Sequence, residues 1–333
     1  MRLLLKIIVL AVFAVAAALA WDSYQFFSSP INDSQSQILQ VAPGSGFRSI
    51  SNKLLQEGIF KAPRHAQYFS GYARLRGVTQ KVHTGEYEIE PGLTPLGLLQ
   101  AMVAGRTLQY RLTIVEGWNF SELRAVMEKH EALEQTLRGK SDKQVMAALG
   151  QPDGMPEGLF LPDTYKFPRG TTDVAFLNRA YKAMQKALAE EWETREKDLP
   201  IDSAYEALIM ASIVEKETAV PEERNRIAGV FLRRLKIGMP LQTDPTVIYG
   251  VPNFDGNLRR RDLTRDTPYN TYTRRGLPPT PIALPGRAAI NATLHPAEGK
   301  ALYFVSKGDG SHVFSPTLKE HNQAVRKYQL NLN

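Results

Sequence analysis

The sequence contains no cysteine among its 333 residues. This absence excludes disulfides, thiolate nucleophiles, iron–sulfur clusters and zinc sites with thiolate ligands. The chain has six histidines, but they are scattered and none forms the H-E-x-x-H pattern of a zinc protease. We therefore expect neither a metal nor another cofactor in the functional site.

Three other catalytic signatures are also missing. The chain has no G-x-S-x-G, no Ser followed three positions later by Lys, and no G-x-x-x-x-G-K-[ST]. These patterns mark serine hydrolases, penicillin-binding proteins and P-loop nucleotide enzymes. The chemistry of this chain must therefore come from other groups.

The N-terminus carries a long apolar run from Ile7 to Trp21, preceded by Arg2 and Lys6. Together with the leucines before it, the run approaches the length that spans a bilayer. Positive charge on its N-terminal side places that end in the cytoplasm. We expect residues 1–21 to be a retained single-pass anchor and residues 22–36 a polar tether. Ala18-Leu19-Ala20 resembles a signal-peptidase site, so cleavage is an open alternative.

The formal net charge of +7 suits an anionic partner, although a solvated basic surface is an equal alternative. Because the anchor exports the bulk of the chain, we expect no nucleic-acid partner.

A pattern of strand, Gly turn and amphipathic helix recurs along the first third of the chain. The copies start at Ile38–Val41, Tyr87–Ile89 and Tyr110–Val115. The repeat is similar to LysM-type carbohydrate-binding modules, and a generic strand-to-helix turn is the alternative. We assign residues 37–105 to a small LysM-like α+β module, whose sugar binding stays open.

Residues 106–333 are expected to form a larger α+β domain. YFVSKGDGSHVF, residues 303–314, predicts a β-hairpin around Asp309-Gly310. Periodicity and capping residues predict seven helices, at residues 119–130, 142–149, 172–193, 203–217, 221–237, 287–294 and 318–329.

The helical stretch MASIVEKETA, residues 210–219, ends in Glu215 and Glu217. Residues two apart point to different faces of a helix, so this pair cannot flank one glycosidic bond as opposed carboxylates. Glu217 follows the more apolar stripe, and Pro221 places it in the last turn of the helix. Burial and the helix dipole both raise a carboxyl pKa there, as a general acid requires. The alternative is a solvated helix end.

Polar and aromatic side chains follow in two Pro-containing loops. LQTDPTVIYG contains Gln242, Thr243, Asp244 and Tyr249, and TPYNTYT contains Asn270 and Tyr272. Such side chains hydrogen-bond or stack on sugars, although simple turn formation explains both loops equally well. For Glu157 and Asp163 we favour a structural role over one in the cleft.

Several long motifs resemble the YceG-like endolytic murein transglycosylases. They are GLFLPDTYKF, MASIVEKETAV, PEERNRIAGVFLRRLKIGMPLQTDPTVIYG, TPYNTYTRRGLPPTPIALPG and YFVSKGDGSHVFSPTLKEHN, in that order along the chain. The resemblance runs from the N-terminal anchor to the C-terminus.

The resemblance implies a single-pass protein of the inner membrane with its LysM-like module and catalytic domain in the periplasm. It implies cleavage within nascent peptidoglycan strands, 1,6-anhydro-N-acetylmuramic ends and a peptidoglycan synthase as partner. The family's catalytic glutamate corresponds to Glu217, and we place Glu215 with the substrate-binding residues. Two alternatives remain, a non-catalytic peptidoglycan-binding scaffold and a muramidase-type hydrolase.

Overall fold

A computed structural model describes residues 2–32 and 35–330. Its first helix, α1, covers Arg2–Ser28, and the most apolar 18 residues of this helix are not buried. By length and composition it is able to cross a membrane. The helix continues past Trp21, so the first part of the predicted tether, residues 22–28, is helical.

The chain divides into two compact units. Unit 1 contains Met1–Tyr110 and Lys166–Gly170, and unit 2 contains Arg111–Tyr165 and Thr171–Asn333. The structure is thus a mixture of helix and sheet with one apolar N-terminal helix.

Unit 1 is built around an antiparallel pair of strands, β1 and β2, in which Leu39 lies opposite Tyr87. Phe26 of α1 lies in the core of this unit and makes an edge-to-face contact with Phe60, with ring centroids 5.1 Å apart. After α1 the elements are β1 (Gln37–Val41), α2 (Phe47–Gln56), α3 (Pro63–Leu75), β2 (Gly85–Ile89) and α4 (Pro95–Val103).

Unit 2 is mainly helical. All seven predicted helices are present, with ends within three residues of the prediction, and the 303–314 hairpin is confirmed. The first residue of β3 and the last two residues of β5 belong to unit 1. In chain order from Tyr110, the elements are β3 (Tyr110–Thr113), α5 (Phe120–Glu128), β4 (Leu133–Glu134), α6 (Asp142–Ala148), β5 (Thr164–Phe167), β6 (Thr171–Thr172), α7 (Asp173–Glu193), α8 (Ala204–Glu217), α9 (Arg224–Lys236), α10 (Asp244–Tyr249), α11 (Arg260–Thr264), α12 (Arg287–Leu294), β7 (Tyr303–Ser306), β8 (His312–Ser315) and α13 (Leu318–Tyr328).

Helix α8 forms the centre of unit 2. Every residue from 207 to 214 is buried, and the helix packs against α7, α9, α10 and α12. A helix that is apolar on all sides belongs in a core. Since α8 is fixed on all sides, the carboxylates of its last turn have well-defined positions.

Candidate active site

Glu217 is the last residue of α8. The next residue, Thr218, is extended, with φ −147° and ψ 135°, because Pro221 prevents the helix from continuing much further. The side chain of Glu217 lines a cavity of about 490 Å³. The sequence-based position of Glu217 at the end of the helix is therefore confirmed.

The cavity is formed by segments that are far apart in the sequence. The end of α8, helix α9, the loop before α10, the β7–β8 hairpin and helix α13 all contribute to it. Its polar lining residues are Glu217, Arg234, Gln242, Thr243, Asp244, Tyr272, Tyr303, Ser306, His312, His321 and Gln329.

Burial raises the pKa of Glu217 to about 7, against an ordinary value of 4.5. The Thr243 hydroxyl donates a hydrogen bond to Glu217 Oε1 and lowers the pKa, whereas the nearby charge of Asp244 raises it. His312 and Arg234 lower it further. The carboxyl group is therefore divided between its acid and base forms at neutral pH, which suits a residue that both gives and takes a proton.

Thr243 is held in place by a network of hydrogen bonds to Thr271. The Thr243 N–H donates to Thr271 Oγ1 at 3.1 Å, and the Gln242 N–H donates to Thr271 O at 3.1 Å. Thr246 Oγ1 lies 2.8 Å from Thr271 Oγ1. The 242–246 segment is thus fastened to the 270–273 loop, and this fixes the donor that contacts Glu217.

Asp244 and Tyr272 lie on the same side of the cavity as this loop. The Tyr272 hydroxyl donates to Asp244 Oδ1 at 2.6 Å. Together with Gln242 and Thr243, they are the predicted sugar-binding residues that the structure brings to the cavity of Glu217.

Glu215 does not line the cavity. Its Oε2 accepts a hydrogen bond from the Gly286 N–H at 2.8 Å, and Arg224 Nη2 lies 3.6 Å from its Oε1. The side chain is only 5% exposed. The two glutamates diverge as predicted, and Glu215 connects α8 to the start of α12.

Asn270 is also outside the cavity lining. Its two N–H groups lie within hydrogen-bond distance of three backbone carbonyls, at residues 262, 263 and 265, so one N–H is shared between two of them. Its Oδ1 accepts from the Tyr272 N–H at 2.9 Å. These hydrogen bonds use both the nitrogen and the oxygen of the side-chain amide, and the residue is 1% exposed. The structure thus assigns Asn270 to holding the 262–272 loop.

Tyr249 lies at a separate buried carboxylate. Its hydroxyl donates to Glu157 Oε2 at 3.0 Å, and Glu157 Oε1 accepts from the Phe120 N–H at 3.1 Å. Burial raises the pKa of Glu157 to about 7. The pair joins α5 to α10, in keeping with the structural role that we favoured for Glu157.

Sequence reasoning missed six polar residues of the cavity lining: Arg234, Tyr303, Ser306, His312, His321 and Gln329. Arg234 interrupts the apolar stripe of α9, three residues after the buried Phe231, and that interruption was the available signal. His312 Nδ1 lies 2.6 Å from Glu223 Oε2. Among residues 2–32 and 35–330, no cluster of three or more His, Asp or Glu could hold a metal ion.

Replacing Thr243 with Val should lower the turnover rate about tenfold, the amount that a hydrogen bond to a charged group supports. Val keeps the shape of the side chain but removes the donor, so the pKa of Glu217 should rise. The midpoint of the pH–rate profile should move to higher pH. Thr264→Val, at an exposed position of α11, is the matched control. An unchanged rate and midpoint in Thr243→Val would show that this contact does not matter.

Comparison with known proteins shows relatives across nearly the whole chain. An endolytic murein transglycosylase of Bacillus subtilis is 31% identical over 307 residues, covering 87% of this chain and 84% of the relative. One from Streptococcus pneumoniae is 27% identical over 355 residues, and the match spans 95% of this chain but 63% of that longer protein.

A solved structure agrees with these matches. The crystal structure of a YceG-like protein from Listeria monocytogenes is 28% identical with a TM-score of 0.52, and the match covers 87% of this chain and 99% of that one. The model of the YceG-like family matches residues 39–327, most of both units. The chain therefore belongs to the YceG-like family.

Proposed function

We propose that the protein is an endolytic murein transglycosylase. It cleaves the bond between N-acetylmuramic acid and N-acetylglucosamine within a glycan strand and leaves a 1,6-anhydro-N-acetylmuramic end. The observation that carries the proposal is a single carboxyl, Glu217, with its pKa raised to about 7 in a cavity of about 490 Å³. The relatives named endolytic murein transglycosylase support it.

One carboxyl is enough for this reaction. Protonated Glu217 gives its proton to the glycosidic oxygen, the bond from C1 to that oxygen breaks, and positive charge develops at C1 and the ring oxygen. The resulting carboxylate then takes the proton from the muramyl C6 hydroxyl as O6 bonds to C1. The proton is back on Glu217 at the end, and no water is consumed.

Some residues around Glu217 favour its protonated form, and others favour its carboxylate. Burial and Asp244 favour the protonated form that begins the reaction. Thr243, His312 and Arg234 favour the carboxylate that completes it. A pKa near 7 follows from this balance and makes both proton transfers accessible at neutral pH.

Asp244 is the residue on which a hydrolytic alternative rests, because it lines the same cavity as Glu217. A hydrolase would use a second carboxylate to activate water or to form a covalent intermediate. Asp244 already accepts a hydrogen bond from Tyr272, which favours a fixed electrostatic role over attack on the sugar.

We further propose that unit 1 provides a LysM-like module and a membrane anchor. The order β1-α2-α3-β2 supports the module, and the charged residues Arg2 and Lys6 before the apolar run support an inner-membrane helix with its N-terminus in the cytoplasm. The rest of the chain is then periplasmic. A peptidoglycan synthase is the expected partner, because it supplies nascent strands.

The proposal is tested by digesting purified sacculi and measuring the masses of the released glycans. We expect products with anhydro ends, one water lighter than the corresponding reducing ends. Reducing ends would instead support the hydrolase based on Asp244. Intact glycan that stays bound to the protein would mean a non-catalytic scaffold.

A further inference from the structure

Arg234 is a buried cation in the wall of the Glu217 cavity. It is 7% exposed, and its Nε and Nη1 donate to the carbonyls of Leu302 and Leu241 at 2.6 and 2.7 Å. Its Cζ lies 5.2 Å from the centroid of the Tyr303 ring. Its third nitrogen, Nη2, makes no hydrogen bond to the described residues, and no carboxylate among them lies within ion-pair distance. Buried charges in proteins are normally paired, so this guanidinium has room for an anionic partner.

The protein offers only a weak counter-charge at this point. The acid that interacts with Arg234 is Glu217, which is protonated at the start of the proposed reaction. Asp244 lines the same cavity, but it makes no ion pair with Arg234 and accepts its hydrogen bond from the Tyr272 hydroxyl. The positive charge of Arg234 is therefore least compensated when the site is ready for substrate.

His321 on α13 adds a neutral donor to the same cavity. Its ring stacks on Tyr303 at a centroid distance of 5.2 Å, and burial together with Arg234 lowers its pKa. Nδ1 is sealed from solvent and has no partner among the described residues. Nε2 is not enclosed in this way, and His321 lines the cavity, so Nε2 is the ring nitrogen that can meet a ligand. In the tautomer with its proton on Nε2, the neutral ring donates a hydrogen bond there.

We propose that Arg234 and His321 form a carboxylate-binding subsite beside Glu217. This inference rests on the proposed function and names the part of the substrate that the cavity recognises. In a glycan strand, the muramyl unit alone carries a lactyl group, either as a free carboxylate or as the attachment point of a stem peptide with its own carboxylates. A subsite for that acid distinguishes the muramyl unit from the glucosaminyl unit and so fixes the direction in which a strand lies.

Binding of defined saccharides to the full-length Glu217→Gln protein tests the subsite. The probes are the N-acetylglucosaminyl–N-acetylmuramic acid disaccharide, its lactyl methyl ester, the same disaccharide with a stem peptide, and that peptide form with its carboxylates amidated. Within the pair that contains the recognised carboxylate, we expect the neutral probe to bind at least tenfold more weakly than the acid. If the subsite binds the lactyl carboxylate, the disaccharide and its methyl ester will show this difference. If it binds a carboxylate of the stem peptide, the peptide form and its amidated form will show it. Equal affinities within both pairs would overturn the subsite.

Variants connect that preference to the two side chains. His321→Phe keeps the stacking on Tyr303 but removes the donor, and Arg234→Lys keeps the charge but loses the planar group. Both should reduce the acid-to-neutral affinity ratio by about tenfold, as expected for a charge-assisted hydrogen bond. Lys319→Gln, an exposed charge change on the same helix, should leave the ratio unchanged. A ratio that survives in both variants would contradict the assignment.

The sacculus digest keeps this inference separate from the proposed function. Anhydro products together with equal binding of acid and neutral probes would refute the subsite and leave the transglycosylase intact. Acid-selective binding without any cleavage of sacculi would refute the transglycosylase and leave the subsite intact.

Discussion

Glu217→Gln should reduce glycan cleavage by at least about a thousandfold, within the range that general acid–base catalysis contributes. Glutamine fills the same space and can still accept the Thr243 hydrogen bond, but it has no proton to give to the glycosidic oxygen. The loss should be in turnover, whereas strand binding should be retained. Release of anhydro-muropeptides from purified sacculi is the measurement.

The same substitution should stabilise the protein at alkaline pH. The pKa of Glu217 is about 7 in the folded protein against an ordinary value of 4.5, so folding favours the protonated form. Below pH 4.5 the group is protonated in both states and costs nothing. The cost grows between pH 4.5 and 7 and reaches up to about 3 kcal/mol above pH 7. Denaturant unfolding should therefore show Glu217→Gln to be more stable than the parent at pH 8, with little difference at pH 4.

Glu215→Gln is the matched control, because it changes the neighbouring acid of the same helix turn. Glutamine can retain the hydrogen bond from the Gly286 N–H, so cleavage should stay within about tenfold of the parent, the scale of one hydrogen bond. If Glu215→Gln abolished cleavage and Glu217→Gln did not, the assignment of the acid would be wrong. If Glu217→Gln gained no stability at pH 8, the raised pKa of Glu217 would be contradicted.

Asn270→Ala should destabilise the protein by about 3 kcal/mol and lower turnover at least about tenfold, because it leaves several partly buried polar groups without partners. The amide satisfies three carbonyls of the 262–265 turn and the Tyr272 N–H. The next residue, Thr271, holds Thr243, which in turn contacts Glu217. Loss of the amide should therefore affect the Glu217 carboxyl through Thr271 and Thr243.

Thermal unfolding and steady-state kinetics would separate this role from sugar binding. Asn257→Ala, in an exposed part of a nearby loop, should change neither quantity. The sequence-based hypothesis that Asn270 is a sugar ligand predicts a higher KM with unchanged stability. That outcome would contradict the structural assignment.

The helices could be predicted from the sequence because their signals are local. The apolar run of α8 and the proline after it fix the place of Glu217, and residues 242–244 lie on a loop that returns to it. The opposite wall of the cavity could not be predicted in this way. His312 and His321 follow α8 by about a hundred residues in the chain, and only tertiary packing brings them to Glu217.

Polar loop residues show a second limit of sequence reasoning. Asp244 and Asn270 occur in similar Pro-containing loops, yet one lines the cavity and the other satisfies backbone carbonyls. Nothing in the local sequence shows which carbonyls a folded loop leaves without partners. Polar composition misled in the same way at residues 22–28, where no helix-breaking residue occurs before Pro30 and the helix simply continues.

The continuous path of α1 into unit 1 determines how far that unit stands from a bilayer. The helix has 27 residues and is about 40 Å long, whereas the hydrocarbon core of a bilayer is about 30 Å thick. Its last turn ends inside the core of unit 1 through Phe26, and Arg64 Nε lies 2.8 Å from Asp22 Oδ2. If α1 is the membrane anchor that we propose, the proposed sugar-binding module is held at the height of the lipid headgroups. It would then meet a glycan strand only where the polymer is still close to the surface on which it is made.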